Sequence, residues 1–246
     1  MKQILKWFVG FGALSLIMIV SAGVFLLFHK GEGRISTVAK VYEEAPVAVV
    51  IDPGHGGEDG GCIGGDGTLE KELNLSVATK VYDILTLAGI KCELTRKDDI
   101  MLYDAYSDLN DYSGVKKTYD LKNRVRLAKE SECTLFVSIH MNKFSDPTYR
   151  GLQVYYSANN SDSVTAALRI QSTVKDALQN DNEREIKRAG SNIYILHRSQ
   201  MPAVLVECGF LSNSEELQLL KDNEYQKSLA LCISAGIIDA VSEFGA

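Results

Sequence analysis

The chain has 246 residues, which is enough for one domain of about 200 residues and a short appendage. Its formal net charge is −6, and residues 1–30 contain three lysines and no acidic residue, so the rest of the chain is more acidic still. Nucleic-acid binding requires clustered Lys and Arg, so this charge balance argues against a nucleic-acid partner. The five cysteines are widely spaced and form no C-x-x-C pair, which argues against a cysteine-rich zinc site.

Residues 7–28 form an apolar run that contains no charged residue. At about 1.5 Å per residue, a helix of this length spans about 33 Å, enough to cross the hydrocarbon core of a bilayer. A cleaved signal peptide is the alternative, since residues 21–23 are small, but apolar residues continue beyond them. We therefore expect a single-pass protein of the cell membrane with its folded domain outside the cytoplasm. Its segments are a cytoplasmic tail at 1–6, an uncleaved transmembrane anchor at 7–28, a linker at 29–46 and the folded domain at 47–246.

Apolar runs of the strand type alternate with segments of helical spacing in that domain. Strands are predicted at 47–51, 92–95, 134–139, 152–156 and 203–206. Helices are predicted at about 73–88, 121–131, 163–179 and 225–242. Continuous apolar strands separated by helices are typical of a parallel sheet that is covered on both faces. The predicted fold class is therefore α/β, a single domain with a central mainly parallel sheet and helices on both faces, preceded by the N-terminal transmembrane helix.

Three polar residues, His55, His140 and Glu207, follow or close the most apolar of these strands. Open α/β sheets place their ligand sites outside the carboxyl ends of the strands, so these side chains converge if the strands are neighbours. A fourth residue, Glu70, precedes a predicted helix after a glycine-rich loop. Two histidines and one carboxylate are a usual catalytic zinc set, and a further carboxylate can act as the base on the attacking water. Each of these residues taken alone is more often structural.

Four segments resemble the motifs of zinc-dependent N-acetylmuramoyl-L-alanine amidases of the type 3 family. They lie in the family's order within residues 47–241, at 51–61, 70–71, 138–142 and 206–213. The resemblance implies an α/β fold and hydrolysis of the amide between N-acetylmuramic acid and L-alanine in peptidoglycan. It also implies that His55, Glu70 and His140 bind Zn²⁺. Glu207 is then the catalytic carboxylate.

A narrower resemblance concerns the germination-specific amidases of endospore-forming bacteria. The chain shares three features with those enzymes: the predicted anchor, the segment 119–127 and the absence of wall-binding repeats. This similarity implies removal of stem peptides from spore-cortex peptidoglycan as a step toward muramic δ-lactam, and it leaves room for an accessory protein of unknown identity. Two other hypotheses stay open. One is another zinc peptidoglycan hydrolase, such as a stem carboxypeptidase or deacetylase, and the other is a non-catalytic wall-binding protein.

Four further residues are candidates for supporting roles. Asp52 either orients the imidazole of His55 or is a structural residue at a strand end. Arg124 and Asn142 either bind muramate or stem-peptide groups or have surface and capping roles. His197 precedes the last predicted strand and is interpreted as a residue that lines a substrate groove.

Overall fold

The sheet at the centre of the fold has six strands in the residues that the structure describes, which are 47–102 and 116–244 of a computed structural model. These residues belong to one unit, Pro46–Ala246, in agreement with the predicted single α/β domain. The predicted tail, anchor and linker at 1–46 lie outside the described residues. Within the described part, no helix has the length and the apolar character that a bilayer span needs.

Four of the strands run in one direction and two run in the other. The strands are β1 (Val49–Pro53), β2 (Cys92–Leu94), β3 (Leu135–Asn142), β4 (Gln153–Tyr156), β5 (Lys187–Arg188) and β6 (Ala203–Phe210). Their order in the sheet is β2-β1-β3-β6-β4-β5. β1 pairs in parallel with β2 and β3, and β3 with β6, whereas β4 pairs antiparallel with β6 and parallel with β5. The mainly parallel sheet is confirmed, but β5 was not predicted, because a Lys-Arg pair has no apolar pattern.

Six helices connect these strands in the described residues. They are α1 (Glu70–Leu87), α2 (Lys116–Glu130), α3 (Asp162–Ala177), α4 (Tyr194–Arg198), α5 (Ser214–Lys221) and α6 (Asn223–Glu243). The four longer helices were predicted from their apolar spacing. α4 and α5 were not, because a helix of five or eight residues is too short to show that spacing. α5 begins after Asn213, whose side chain accepts hydrogen bonds from the amides of Glu215 and Glu216.

Alternate side chains of the strands pack on opposite faces of the sheet. Val49 and Ile51 of β1 lie in a large apolar cluster with residues of α1, α3, α5 and α6. Val50 lies in a smaller cluster with residues of α2 and α4. We call the side with Val49 and Ile51 the major face and the side with Val50 the minor face. Helices therefore cover both faces, as predicted.

Polar residues take the place of apolar ones where the minor face reaches the carboxyl ends of the strands. Val50 of β1, Phe136 of β3 and Leu205 of β6 all pack in the minor-face cluster. The alternation of side chains extends this face by one or two positions toward the carboxyl ends. The residues at those positions are Asp52, Ser138, His140 and Glu207. Since β1, β3 and β6 are parallel neighbours, these polar side chains meet at the carboxyl ends of the three strands.

Candidate metal centre

Three of the residues predicted to form the site come together at these carboxyl ends. His55 lies just after β1, Glu70 is the first residue of α1 and His140 lies on β3. Oε1 of Glu70 lies 3.0 Å from Nδ1 of His140 and 3.3 Å from Nε2 of His55. Each side chain offers one ligand atom within 4.8 Å of those of the other two. A single ion placed among them can therefore contact all three.

The carboxylate of Glu70 is held by backbone amides from two other segments. Its Oε2 accepts a hydrogen bond from the amide of Cys62 at 2.8 Å, and its Oε1 accepts one from the amide of Met141 at 3.1 Å. The amide of Glu70 in turn donates to the carbonyl of Cys62 at 3.0 Å. These bonds tie the glycine-rich loop to the start of α1 and to the end of β3. The carboxylate is thus fixed in place with both oxygens oriented.

His55 is presented by an unusual backbone turn. Its φ angle is 61°, and the next two residues, Gly56 and Gly57, have φ angles of 137° and 55°. A non-glycine residue in this region costs about 1–2 kcal/mol, and such strain is often found at functional sites. The carbonyl of His55 accepts a hydrogen bond of 2.6 Å from Nη2 of Arg124. The turn is therefore secured from the neighbouring helix α2.

The acidic partner of His55 is Asp59, so of the two roles left open for Asp52 the structure supports the structural residue at a strand end. Oδ2 of Asp59 lies 2.9 Å from Nδ1 of His55, which leaves Nε2 on the side of Glu70. Burial lowers the pKa of His55, but the contacts with Asp59 and Glu70 outweigh it and raise the pKa to about 9. The spacing of His55 and Asp59 in a glycine-rich turn was the available signal, and sequence reasoning missed it.

Asp52 has a different role in a buried network behind the site. It is fully buried, and it accepts hydrogen bonds of 2.6 Å from Thr95, Ser138 and Arg124. Arg124 is itself 1% exposed and also contacts Asp120 at 2.8 Å. Both interpretations of Arg124, as a substrate-binding residue and as a surface or capping residue, are therefore wrong, because its side chain is buried and paired with Asp52 and Asp120. Its positive charge neutralises two buried carboxylates, and it holds the strand that leads to His55.

We expect the substitution Arg124→Met to destabilise the fold strongly. It would remove the guanidinium that pairs directly with the buried carboxylates of Asp52 and Asp120, a change that typically costs about 3–5 kcal/mol. Arg126→Met on the same helix is the matched control, because its ion pair with Glu130 is exposed and is worth about 1 kcal/mol or less. Urea unfolding of both variants measures the difference. Equal losses of stability would contradict the buried network.

The fourth predicted residue, Glu207, is the direct neighbour of His140. The two residues are paired in the register of β3 and β6 and share the minor face. Oε2 of Glu207 is buried and has no hydrogen-bond partner among the described residues. Burial raises the pKa of Glu207 to about 7, with His140, His55 and Arg184 lowering it and Glu70 raising it further. A carboxyl group with this pKa can exchange a proton near neutral pH.

The residues around this point are suited to a divalent cation. Two imidazoles and one carboxylate are a donor set typical of catalytic zinc. Burial raises the pKa of Glu70, but the contacts with His140 and His55 outweigh it and lower the pKa well below its usual value. Glu70 is therefore a carboxylate at neutral pH, and the negative charges that keep a proton on His55 would also attract a metal ion. The unpartnered oxygen of Glu207 adds a further negative group beside the three donors.

Because Gly54 has no side chain, the ring of His140 can occupy the space beside it. A Cβ atom at position 54 would lie 2.2 Å from Cε1 and Nε2 of that ring. We expect Gly54→Ala to displace His140 and to weaken metal binding by at least about 10-fold, as loss of a ligand's support usually does. Gly65→Ala is the matched control, because a Cβ there meets nothing within 4 Å. Metal titration followed by calorimetry compares the two variants, and a wild-type affinity in Gly54→Ala would refute this packing argument.

His197 lies at the opposite end of the strands, near the beginning of β6. Its side chain is exposed on α4, and its carbonyl accepts a hydrogen bond of 2.9 Å from Nδ2 of Asn159. Asn159 follows the end of β4, and Tyr156 at that end pairs with Val204 at the beginning of β6. The interpretation of His197 as a groove residue near the site is therefore wrong. Asn142 does end β3 near the site, where its Oδ1 accepts from the amide of Lys143 at 2.8 Å.

The fold and the site together define an α/β enzyme with a candidate metal centre at the carboxyl edge of a mostly parallel sheet. Residues 49–239 match the family described as N-acetylmuramoyl-L-alanine amidase, and the chain belongs to this family. It is therefore a peptidoglycan amidase that cleaves between N-acetylmuramic acid and L-alanine. This assignment favours the amidase hypothesis over a carboxypeptidase, a deacetylase or a non-catalytic wall-binding protein.

Individual relatives agree with the family. The chain is 37% identical over 197 residues to the germination-specific N-acetylmuramoyl-L-alanine amidase of Bacillus subtilis, covering 80% of this chain and 81% of the relative. It is 29% identical to the amidase AmiA of Escherichia coli, covering 77% of this chain and 74% of that one. Among solved structures, the CwlD amidase of Clostridioides difficile, in complex with the GerS lipoprotein, superimposes with a TM-score of 0.74 at 37% identity. That match covers 79% of this chain and 98% of the chain in the solved structure.

Proposed function

We propose that this amidase is zinc-dependent, that His55, Glu70 and His140 bind the ion, and that Glu207 is the catalytic carboxylate. The single observation that carries the proposal is the convergence of three ligand atoms within 4.8 Å, on residues from three separate segments. The position of Glu207 beside His140 supports its role. Zinc analysis of the purified protein, before and after treatment with a chelator, tests the proposal together with the activity measured in each state.

The chain's own residues supply proton transfer and positioning. When bound, zinc polarises a carbonyl group and makes a nearby water molecule more acidic. Glu207 accepts a proton from the water that attacks the lactyl carbonyl, and it then donates a proton to the departing nitrogen of L-alanine. The bond between that carbonyl carbon and that nitrogen breaks, so the products are a free lactyl carboxylate and an L-alanine amine. Asp59, whose Oδ2 lies 2.9 Å from Nδ1 of His55, would leave Nε2 of that imidazole available to hold the ion.

The biological substrate that we propose is spore-cortex peptidoglycan. The 37% identity to a germination-specific amidase of Bacillus subtilis supports this choice. Removal of stem peptides from the cortex would be a step toward muramic δ-lactam. Analysis of the muropeptides of spores that lack this chain tests the proposal, with restoration by the wild-type gene and by a Glu207→Gln gene. We expect muramic δ-lactam to return only with the wild type, and its presence in spores without the chain would refute the cortex role.

An accessory protein and a membrane location complete the proposal. The related CwlD amidase was solved in complex with the GerS lipoprotein, which supports a lipoprotein-like partner for this chain.

We place the enzyme at the cell membrane as a single-pass protein, anchored by residues 7–28, with the catalytic domain outside the cytoplasm. The apolar, uncharged character of residues 7–28 supports this location.

We expect the predicted anchor to be dispensable for the chemical step. The four residues of the site all lie beyond residue 46, and the run 7–28 contains no histidine, cysteine or charged residue. A truncated protein that begins at Gly31 should be soluble and should cleave muropeptide fragments at a rate close to that of the full chain. Its zinc content serves as the control. A truncated protein that binds zinc normally but is inactive would show that residues 1–30 take part in the active assembly.

A further inference from the structure

Arg184 has a half-buried guanidinium group without a carboxylate at ion-pair distance among the described residues. Its Nη2 donates a hydrogen bond of 2.5 Å to Oε1 of Gln153. In the described part of the chain no carboxylate forms an ion pair with Arg184, and its buried Nε has no hydrogen-bond partner. Partly buried charges without partners are destabilising and are rarely retained for stability. The charge of Arg184 acts at longer range on Glu207, and its unpartnered Nε is available to a ligand.

Aromatic rings fix the position of this guanidinium. Its Cζ lies 4.9 Å from the ring centre of Phe210 and 6.0 Å from that of Tyr149. The ring of Tyr149 in turn lies 4.6 Å from that of Phe144, and the two side chains are 43% and 48% exposed. Contacts of this kind orient an Arg side chain before any ligand arrives, so less conformational entropy is lost on binding. The exposed rings also show that this side of the site is open to solvent.

A row of residues across the sheet leads from the candidate metal centre to Arg184. His140 on β3 is paired with Glu207 on β6, and Glu207 is paired with Gln153 on β4. Cross-strand partners share a face, so the three side chains lie side by side on the minor face. Adjacent strands are about 4.8 Å apart, and Arg184 is hydrogen-bonded to Gln153. The guanidinium is therefore roughly one to two strand spacings beyond Glu207.

The leaving group of the reaction carries a negative charge at a matching distance. In the proposed mechanism Glu207 protonates the nitrogen of L-alanine, so the stem peptide extends away from Glu207. The residue that follows L-alanine in a stem carries a carboxyl group, either free or amidated. Two extended residues span roughly 7 Å, which agrees with the spacing between Glu207 and Arg184.

We propose that Arg184 binds the free carboxylate of the stem residue that follows L-alanine and makes the enzyme selective for the acid over the amide at this position. The inference rests on the proposed role of Glu207, because that role sets the direction in which the stem leaves the site. Arg184 is then a specificity-determining residue that touches substrate at a distance from the bond that breaks. A guanidinium prefers a carboxylate to an amide because hydrogen bonds between two charged groups are stronger than those to a neutral one.

The test compares two synthetic muropeptides that differ in one group, a D-glutamate or a D-isoglutamine after L-alanine. Rates are measured with the zinc-loaded full-length protein in detergent, for the wild type and for Arg184→Gln and Arg184→Lys. Arg188→Gln is the matched control for charge. Arg188 lies on the neighbouring strand β5 and pairs with Tyr156, whose side chain packs on the major face.

We expect the wild type to prefer the acid by about 10- to 100-fold in kcat/KM, the range for a hydrogen bond between charged groups. Arg184→Gln should lose that preference through a higher KM for the acid. Because the charge of Arg184 also acts on Glu207, any change in kcat should be the same for the two muropeptides. Arg184→Lys should keep part of the preference, and Arg188→Gln should match the wild type. An equal loss on both muropeptides would reduce Arg184 to a structural role, and a wild type without preference would overturn the proposal.

A second measurement needs no variant. The product dipeptide L-alanyl-γ-D-glutamate should inhibit the wild type at least about 10-fold better than the same dipeptide with its α-carboxylate amidated. Equal inhibition would overturn the proposal even if Arg184→Gln does not fold. A wrong role for Glu207 would give a different result from a wrong role for Arg184. In that case Glu207→Gln would cleave both muropeptides at wild-type rates, and the preference for the acid would persist.

Discussion

Glu207→Gln is expected to lose at least about 10²-fold in kcat, the lower range for removal of a general acid–base group, while it keeps its metal. Gln has nearly the same size as Glu and fits the same strand position, but its amide cannot accept a proton from water. Oε2 of Glu207 forms no hydrogen bond in the described residues, so the substitution breaks no hydrogen bond at that atom. Three other side chains would supply the metal donors, so the metal content should stay near that of the wild type.

The measurement pairs metal content with the rate at which muropeptide is cleaved. Glu215→Gln is a suitable control, because it is the same chemical change at an exposed residue near the start of α5. Glu207→Gln with a normal rate would remove Glu207 from the mechanism. Loss of metal in Glu207→Gln, with metal retained in Glu215→Gln, would instead make Glu207 a ligand.

Glu70→Ala is expected to abolish metal binding and activity together. The substitution removes one of three protein donors and leaves the amides of Cys62 and Met141 without their acceptor. We expect a loss of affinity greater than the 10- to 100-fold that follows removal of a residue supporting a ligand. Glu72→Ala is the matched control, because Glu72 lies in the same first turn of α1 but is exposed.

The comparison of Glu70→Ala with Glu72→Ala locates the carboxylate donor. Metal analysis after dialysis, together with activity at added zinc, should show loss only in Glu70→Ala. Wild-type metal content in that variant would place the carboxylate elsewhere. A loss of metal in Glu72→Ala would be equally damaging, since its side chain is not among the converging donors.

The sequence was sufficient to predict the central strands and the four residues at their carboxyl edge. β1, β3 and β6 are continuous apolar runs, which makes them easy to recognise, and each is followed or closed by a polar residue. Parallel neighbours bring such ends together, so the placement of His55, His140 and Glu207 follows from topology alone. Glu70 could be assigned only through the family motif, because its approach depends on how the glycine-rich loop folds.

The supporting contacts could not be predicted, because they depend on side-chain geometry between distant segments. Asp52 and Asp59 are both close to His55 in sequence, but the alternation of β1 directs Asp52 into a buried network with Ser138, while a turn with positive φ angles brings Asp59 to the imidazole. Arg124 is separated from Asp52 by 72 positions, and its burial is visible only once α2 packs on the minor face. A sequence pattern shows which residues are polar but not which of them are buried together.

Mass spectrometry of a defined muropeptide before and after treatment with the purified protein tests the central claim most directly. The zinc-loaded protein should release a peptide that begins with L-alanine and leave a fully acetylated glycan with a free lactyl carboxylate. Chelation of the metal should stop the reaction, and added zinc should restore it. Loss of an acetyl group, release of a terminal stem residue, or cleavage that continues unchanged after complete removal of metal would contradict the assignment of this site as a zinc-dependent amidase centre.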